Sequence, residues 1–177
     1  MKQNLVYFSL LICVAAICLC SFKADSQTGA GDYSGLSLQT FTAQEEIEGY
    51  NDEKHLVYNP LSLSQMVDNL KTLGFSLVYS KKVKRHDYTG TETYYFTVQK
   101  FSKTINGRTT TVKLEEDYTR IQFPDKSDMD IFMGPIKMLV FEEVEENLWR
   151  DNDSVYWAGT DISLKDNTVY LRYRWEP

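Results

Sequence analysis

Apolar positions sixty-six residues apart in this chain coincide. Leu63, Met66, Val67, Leu70, Leu73 and Phe75 fall on Met129, Phe132, Met133, Ile136, Leu139 and Phe141. Within each set, steps of three and four trace one helix face, and the last position runs into a strand. Helix-start chemistry precedes both. Ser62 with Gln65 forms a capping-box pattern, and Ser127 with Asp130 a similar one. Gly74 is placed to end the first helix as its left-handed cap. A repeat of this kind predicts two units built on one plan.

After each helix the pattern turns to alternation. In the first unit it predicts strands over Phe75–Val83, Glu92–Ser102, Thr109–Leu114 and Tyr118–Phe123, with Asn106-Gly107 as a hairpin turn. In the second it predicts Phe141–Trp149, Val155–Ala158, Thr160–Leu164 and Thr168–Trp175, with Asp166-Asn167 at the last turn. The expected fold class is α+β. It comprises two tandem helix-plus-antiparallel-sheet repeats, 59–124 and 125–177, each of one helix and about four strands, with the helices on one side of the sheet. Ahead of them, 27–58 reads as a polar leader that is flexible through Gly35. It carries a short strand over Leu36–Phe41 and, from Thr42 with Glu45, a short helix over Ala43–Tyr50.

Gly134-Pro135 falls inside the second helix, where proline removes a hydrogen bond and costs ~3 kcal/mol or more unless the helix kinks. The rival reading starts a helix at Pro135 and runs it through Ile136, Leu139, Val140, Val144 and Leu148. Glu142, Glu143, Glu145 and Glu146 would then form its wet face. The match to the first unit favours a kinked or short helix followed by a strand.

The first twenty-six residues set the compartment. Lys2 opens a basic start, an uncharged apolar run follows from Leu5 to Cys20, and Lys23 and Asp25 close it. That is the layout of a secretory signal peptide, and the run is shorter than the ~20 residues a spanning helix needs. Cleavage after Ser26, with Ala24 and Ser26 as the small pair, or after Cys20 fits the pattern. Lipid anchoring at Cys18 or Cys20 is disfavoured, because Ile17 and Leu19 stand where that chemistry wants a small residue. The expected localisation is therefore exported: periplasmic, cell-surface or secreted. Cys13, Cys18 and Cys20 all lie in the apolar run, so the processed chain has no thiol for disulfides, catalysis or metal. Processing after Ser26 takes the chain from 19 basic and 25 acidic residues to 17 and 24, a net charge of −7. That balance argues against a nucleic-acid partner.

Few motifs carry chemistry. His55 and His86 are the only histidines and read as exposed loop residues, with no H-x-x-x-H pair for zinc. There is no G-x-S-x-G elbow, no G-x-G-x-x-G and no phosphate-cradling loop, so no catalytic residue, metal site or cofactor is expected. The Glu142–Glu146 run reads as a solvated face and Asp151-Asn152-Asp153 as a turn. Lys81, Lys82, Lys84, Arg85 and His86 form a basic cluster that reads as the wet end of a strand.

The distributed signal is a face. Along the last strand Val169, Leu171, Tyr173 and Trp175 alternate with Tyr170, Arg172 and Arg174. Phe96 and Val98 alternate with Tyr95, Thr97 and Gln99, and Ile121 and Phe123 with Arg120 and Gln122. With the helices on one side, the other side gathers Tyr95, Gln99, Arg120, Gln122, Tyr170, Arg172 and Arg174. Tyrosine and arginine are enriched at protein interfaces.

In its order of elements over about residues 59–175, the chain resembles the secreted β-lactamase inhibitor protein family and PepSY-like exported domains. That resemblance implies an exposed sheet surface that binds another protein. The expected function is an exported, non-catalytic binding module, inhibitor- or immunity-like, for another secreted or envelope protein, with no membrane span once the signal is removed. One alternative is a carbohydrate- or peptidoglycan-directed protein or hydrolase. It would stack sugars on Trp149, Trp157, Tyr156 and Tyr170 and use Glu142, Glu143, Asp151 or Asp153 as acids. A second is a subunit of a surface assembly that docks through Gln27–Asn59.

Overall fold

A computed structural model describes residues 34–48, 52–86, 92–139, 141–151 and 158–175. They belong to one compact unit, 32–177. The expected export signal, its three cysteines, the leader up to 33 and the expected strand positions 155–157 lie outside the described residues.

Among the described residues, ten strands accompany two short α-helices. Strands β1 (Thr42–Glu48) and β2 (Lys54–Pro60) pair antiparallel as a separate ribbon. Helix α1 (Leu63–Thr72) follows, then β3 (Ser76–His86), β4 (Thr93–Ile105), β5 (Arg108–Leu114) and β6 (Tyr118–Gln122). Helix α2 (Lys126–Ile136) leads into β7 (Glu142–Glu145), β8 (Leu148–Arg150), β9 (Ala158–Lys165) and β10 (Thr168–Trp175). The last eight strands form one antiparallel sheet in the order β3-β4-β5-β6-β10-β9-β8-β7.

The α+β fold of two balanced helix-plus-sheet repeats is thereby corrected to a predominantly β protein. β6 and β10 pair along Tyr118–Gln122, which fuses the two sets of four strands into a single sheet. Local alternation reports that each segment is a strand. It is blind to a partner some fifty residues away, and so to how many sheets the strands make.

The leader departs further from expectation. Leu36–Phe41 is not a strand but holds a single 3-10 turn, Leu38–Thr40, whose apolar residues Leu36, Leu38 and Phe41 are buried in the core. Ala43–Glu48 is strand rather than helix. Its hydrogen bonds go across to Lys54–Asn59, and that pairing overrides the local capping signal at Thr42 and Glu45.

Turn and cap chemistry explains the remaining boundaries. Ser62 caps α1 through a reciprocal box with Gln65. At its other end Phe75 N–H bonds Leu70 C=O and Gly74 N–H bonds Lys71 C=O, with Gly74 at φ +82°. This is a Schellman stop, which demands the left-handed residue that glycine supplies. The cap of α2 is Asp125, not Ser127. Its carboxylate accepts from Asp128 N–H at 3.1 Å and from Ser127 Oγ–H at 2.7 Å. Pro135 sits in the last turn of α2, and strand β7 begins six residues after the helix ends, as the favoured of the two readings expected. Asn106 and Gly107 both have positive φ, +51° and +78°, the type I′ geometry that closes β4 onto β5.

One apolar cluster fills the space between sheet and helices. A continuous row, Phe101–Val112–Ile121–Val169–Leu164, crosses five strands by direct pairing. Met66 and Leu70 of α1 and Met129, Phe132, Met133 and Ile136 of α2 belong to the same cluster. Tyr58 of β2 joins it, its ring 5.2 Å from Phe141. Among the described residues, no helix is long and apolar enough to cross a membrane.

Candidate functional site

The residues that alternate with the buried row define the sheet's other face. Ile121, Thr119, Val169 and Leu171 are fully buried, so Arg120, Gln122, Tyr170 and Arg172 between them point away from the core. Register brings these four together. Arg120 lies opposite Tyr170, Gln122 opposite Thr168, and Arg172 opposite Tyr118. The Arg120 guanidinium stands 5.7 Å from the centre of the Tyr170 ring, within cation–π range.

Pairing extends this face across the sheet as a second row, Lys100–Lys113–Arg120–Tyr170. Three cations on neighbouring strands concentrate positive charge in a chain whose overall charge is −6. Lys113 is ion-paired with Glu115 beside the row. Tyr118 was missed in the sequence, although it shares the two-residue period of Arg120 and Gln122 on β6. Burial, followed by a hydrogen bond to Glu115, pushes its phenol up to about 12. At neutral pH it therefore presents an uncharged hydroxyl beside Arg172.

Three expected members do not join this face. Gln99 lies opposite Leu114, in the core-side row that continues through Thr119, Leu171 and Ile162. Tyr95 shares its parity on β4 and is exposed, but on that same side. The error has a physical source. Val98 is buried outside the main core cluster, while Phe101 is buried within it, so apolar positions of both parities are covered along this thirteen-residue strand. Phe96, of Val98's parity, carries the Arg85 guanidinium 4.8 Å from its ring, and Arg85 bonds Asp117 at 2.5 Å.

Arg174 is the third departure. It has the parity of Arg172, yet its side chain is 9% exposed and ion-paired to Asp151 and Asp161. Arg150 bonds the same Asp161 oxygen at 3.1 Å. Asp151 also accepts from the N–H groups of Tyr58 at 2.6 Å and Thr160 at 3.0 Å. This is a latch that bolts β2 to β9, reinforced by Thr160 Oγ–H to Tyr58 C=O and by Gly159 N–H to Asn59 Oδ1 at 3.1 Å. Asp151 is thus a structural carboxylate. Trp149, beside it on β8, is buried beneath Lys137 rather than offered for stacking. Asp153, Tyr156 and Trp157 lie outside the described residues.

The remaining charged segments take positions at the rim. Lys81, Lys82 and Lys84 sit on β3, one edge of the sheet, and Glu142, Glu143 and Glu145 on β7, the other. Charge on an edge strand disfavours pairing with another chain. Both histidines prove to be strand residues: His55 lies opposite Ile47, and His86 opposite Thr93, whose hydroxyl is 3.1 Å from its Nδ1. No protein family, curated protein or solved structure matches this chain.

Proposed function

We propose that this chain is an exported, non-catalytic binding module that holds another extracytoplasmic protein on the open face of its sheet. The observation that carries the reading is the Lys100–Lys113–Arg120–Tyr170 row with Arg172 and Tyr118 beside it. Strands present these side chains from a rigid, hydrogen-bonded surface, so little order must be imposed on binding. Tyrosine and arginine supply contact area and forked hydrogen bonds. A row of cations selects a partner with an acidic patch and speeds its encounter.

The test is recovery of the tagged protein from its host's envelope or medium, with bound species identified by mass spectrometry. A stoichiometric protein partner, released by Arg120→Ala or Arg172→Ala and weakened by salt, is the expected result. Recovery of glycan or peptidoglycan fragments with no protein would overturn the reading.

A further inference from the structure

A second feature lies away from that face. Where β2 runs into α1, a cavity of about 320 Å³ opens between the start of the helix, the middle of β4 and the β5–β6 turn. Its volume is within the range of small-molecule sites. Leu61, Leu63 and Met66 line one part of it, and Glu115 and Glu116 another. The cavity shares no residue with the proposed partner face.

The two carboxylates are not equivalent. Glu115 is engaged by Lys113 and by the Tyr118 hydroxyl. Glu116 Oε2 is screened from solvent, and among the described residues nothing hydrogen-bonds it. A carboxylate on a cavity wall with one oxygen lacking a partner is costly, and a cation seated against that carboxylate offsets the cost. The start of α1 does not make the cavity an anion site, because the capping box already occupies it. Gln65 N–H donates to Ser62 Oγ, and Gln65 Oε1 accepts from Ser62 N–H. What the walls ask for is a positive head on an apolar stem.

We propose that this cavity binds an alkyl cation, with its ammonium or guanidinium head on Glu116 and its methylenes along Leu61, Leu63 and Met66. The inference goes beyond the sheet-face reading and stands or falls apart from it. Such a group has two sources: a free amine, or a lysine or arginine side chain of another protein.

The experiment is calorimetric titration of the purified protein with cadaverine, with the peptide acetyl-Gly-Lys-Gly-amide, and with 1-pentanol as an uncharged stem. Saturable binding of cadaverine or the peptide is expected. Glu116→Gln should weaken it by about tenfold or more, the effect of removing one charged hydrogen-bond partner. Pentanol should bind at least about tenfold more weakly than the better cation. Cadaverine without the peptide identifies a free amine as the ligand; binding of the peptide identifies a side chain. The proposal is overturned if neither cation binds below about 10 mM, or if Glu116→Gln, folded with unchanged melting temperature, binds as wild type does.

Discussion

Arg174 closes over Asp151 in an ion pair whose side chains are 9% and 0% exposed. Two residues earlier on the same strand, Arg172 stands in solvent. Removing one partner of a buried pair strands the other charge, which costs about 3–5 kcal/mol. Arg174→Ala should therefore lower unfolding free energy by roughly that amount, while Arg172→Ala stays within about 0.5 kcal/mol. Urea titration of the two variants checks this. Equal losses would mean that the latch does not hold β2 against the sheet.

Gly159 makes the same latch possible. It lies opposite Arg174 at φ +106°, and a Cβ there would come within 2.4–2.7 Å of the Asp151 carboxylate and the Arg174 guanidinium. Gly159→Ala combines a backbone penalty of about 1–3 kcal/mol with a collision in the ion pair. A marked drop in thermal midpoint is expected, with loss of the Tyr58–Asp151 bond visible as faster exchange of the Tyr58 amide. An unchanged midpoint would contradict the close approach.

Alkaline pH should destabilise the protein through three tyrosines. Burial raises Tyr173, burial and then the charge of Asp151 raise Tyr58, and Tyr118 is pushed up to about 12. In the unfolded chain tyrosine ionises near 10. A group raised in the fold contributes stability that is fully present below the unfolded value and is lost as pH rises through the folded one. Stability should fall from about pH 10 to pH 12. Phenolate absorbance near pH 11 should be lower for the native protein than for the same chain in denaturant. Coincident titrations would refute the burial of these hydroxyls.

Ser62→Ala should cost about 1 kcal/mol, the usual worth of a helix N-cap, because it removes the acceptor for Gln65 N–H. A melting curve suffices to measure it. The proposed partner face lies elsewhere, so binding there should be unaffected.

The lysines of β3 protect an open edge. Replacing Lys82 and Lys84 together by valine raises strand propensity and removes charge from an edge strand whose outer side is unpaired. Greater light scattering at equal concentration is expected, with little change in melting temperature. No change in scattering would show that this edge is already covered.

Much of this molecule was legible in the linear chain. Ser62 and Gln65, Gly74, Asn106-Gly107 and the alternation of β6 and β10 all act within a few residues, where backbone geometry and capping chemistry are local. Arg120, Gln122, Tyr170 and Arg172 were found because a period of two is enough to sort one strand into two faces. Tertiary structure decided the rest. The pairing of β6 with β10 made one sheet where the repeat suggested two balanced units, and cross-strand bonds turned the expected helix at Ala43 into β1. Gln99 lies on the core side, and Arg174 differs from Arg172, because register and the docking of β2 bring Leu114, Asp151 and Gly159 beside them. A side chain's neighbours along the chain fix its parity. Only the strands and ribbon that arrive from far away fix whether that side is wet, paired or buried.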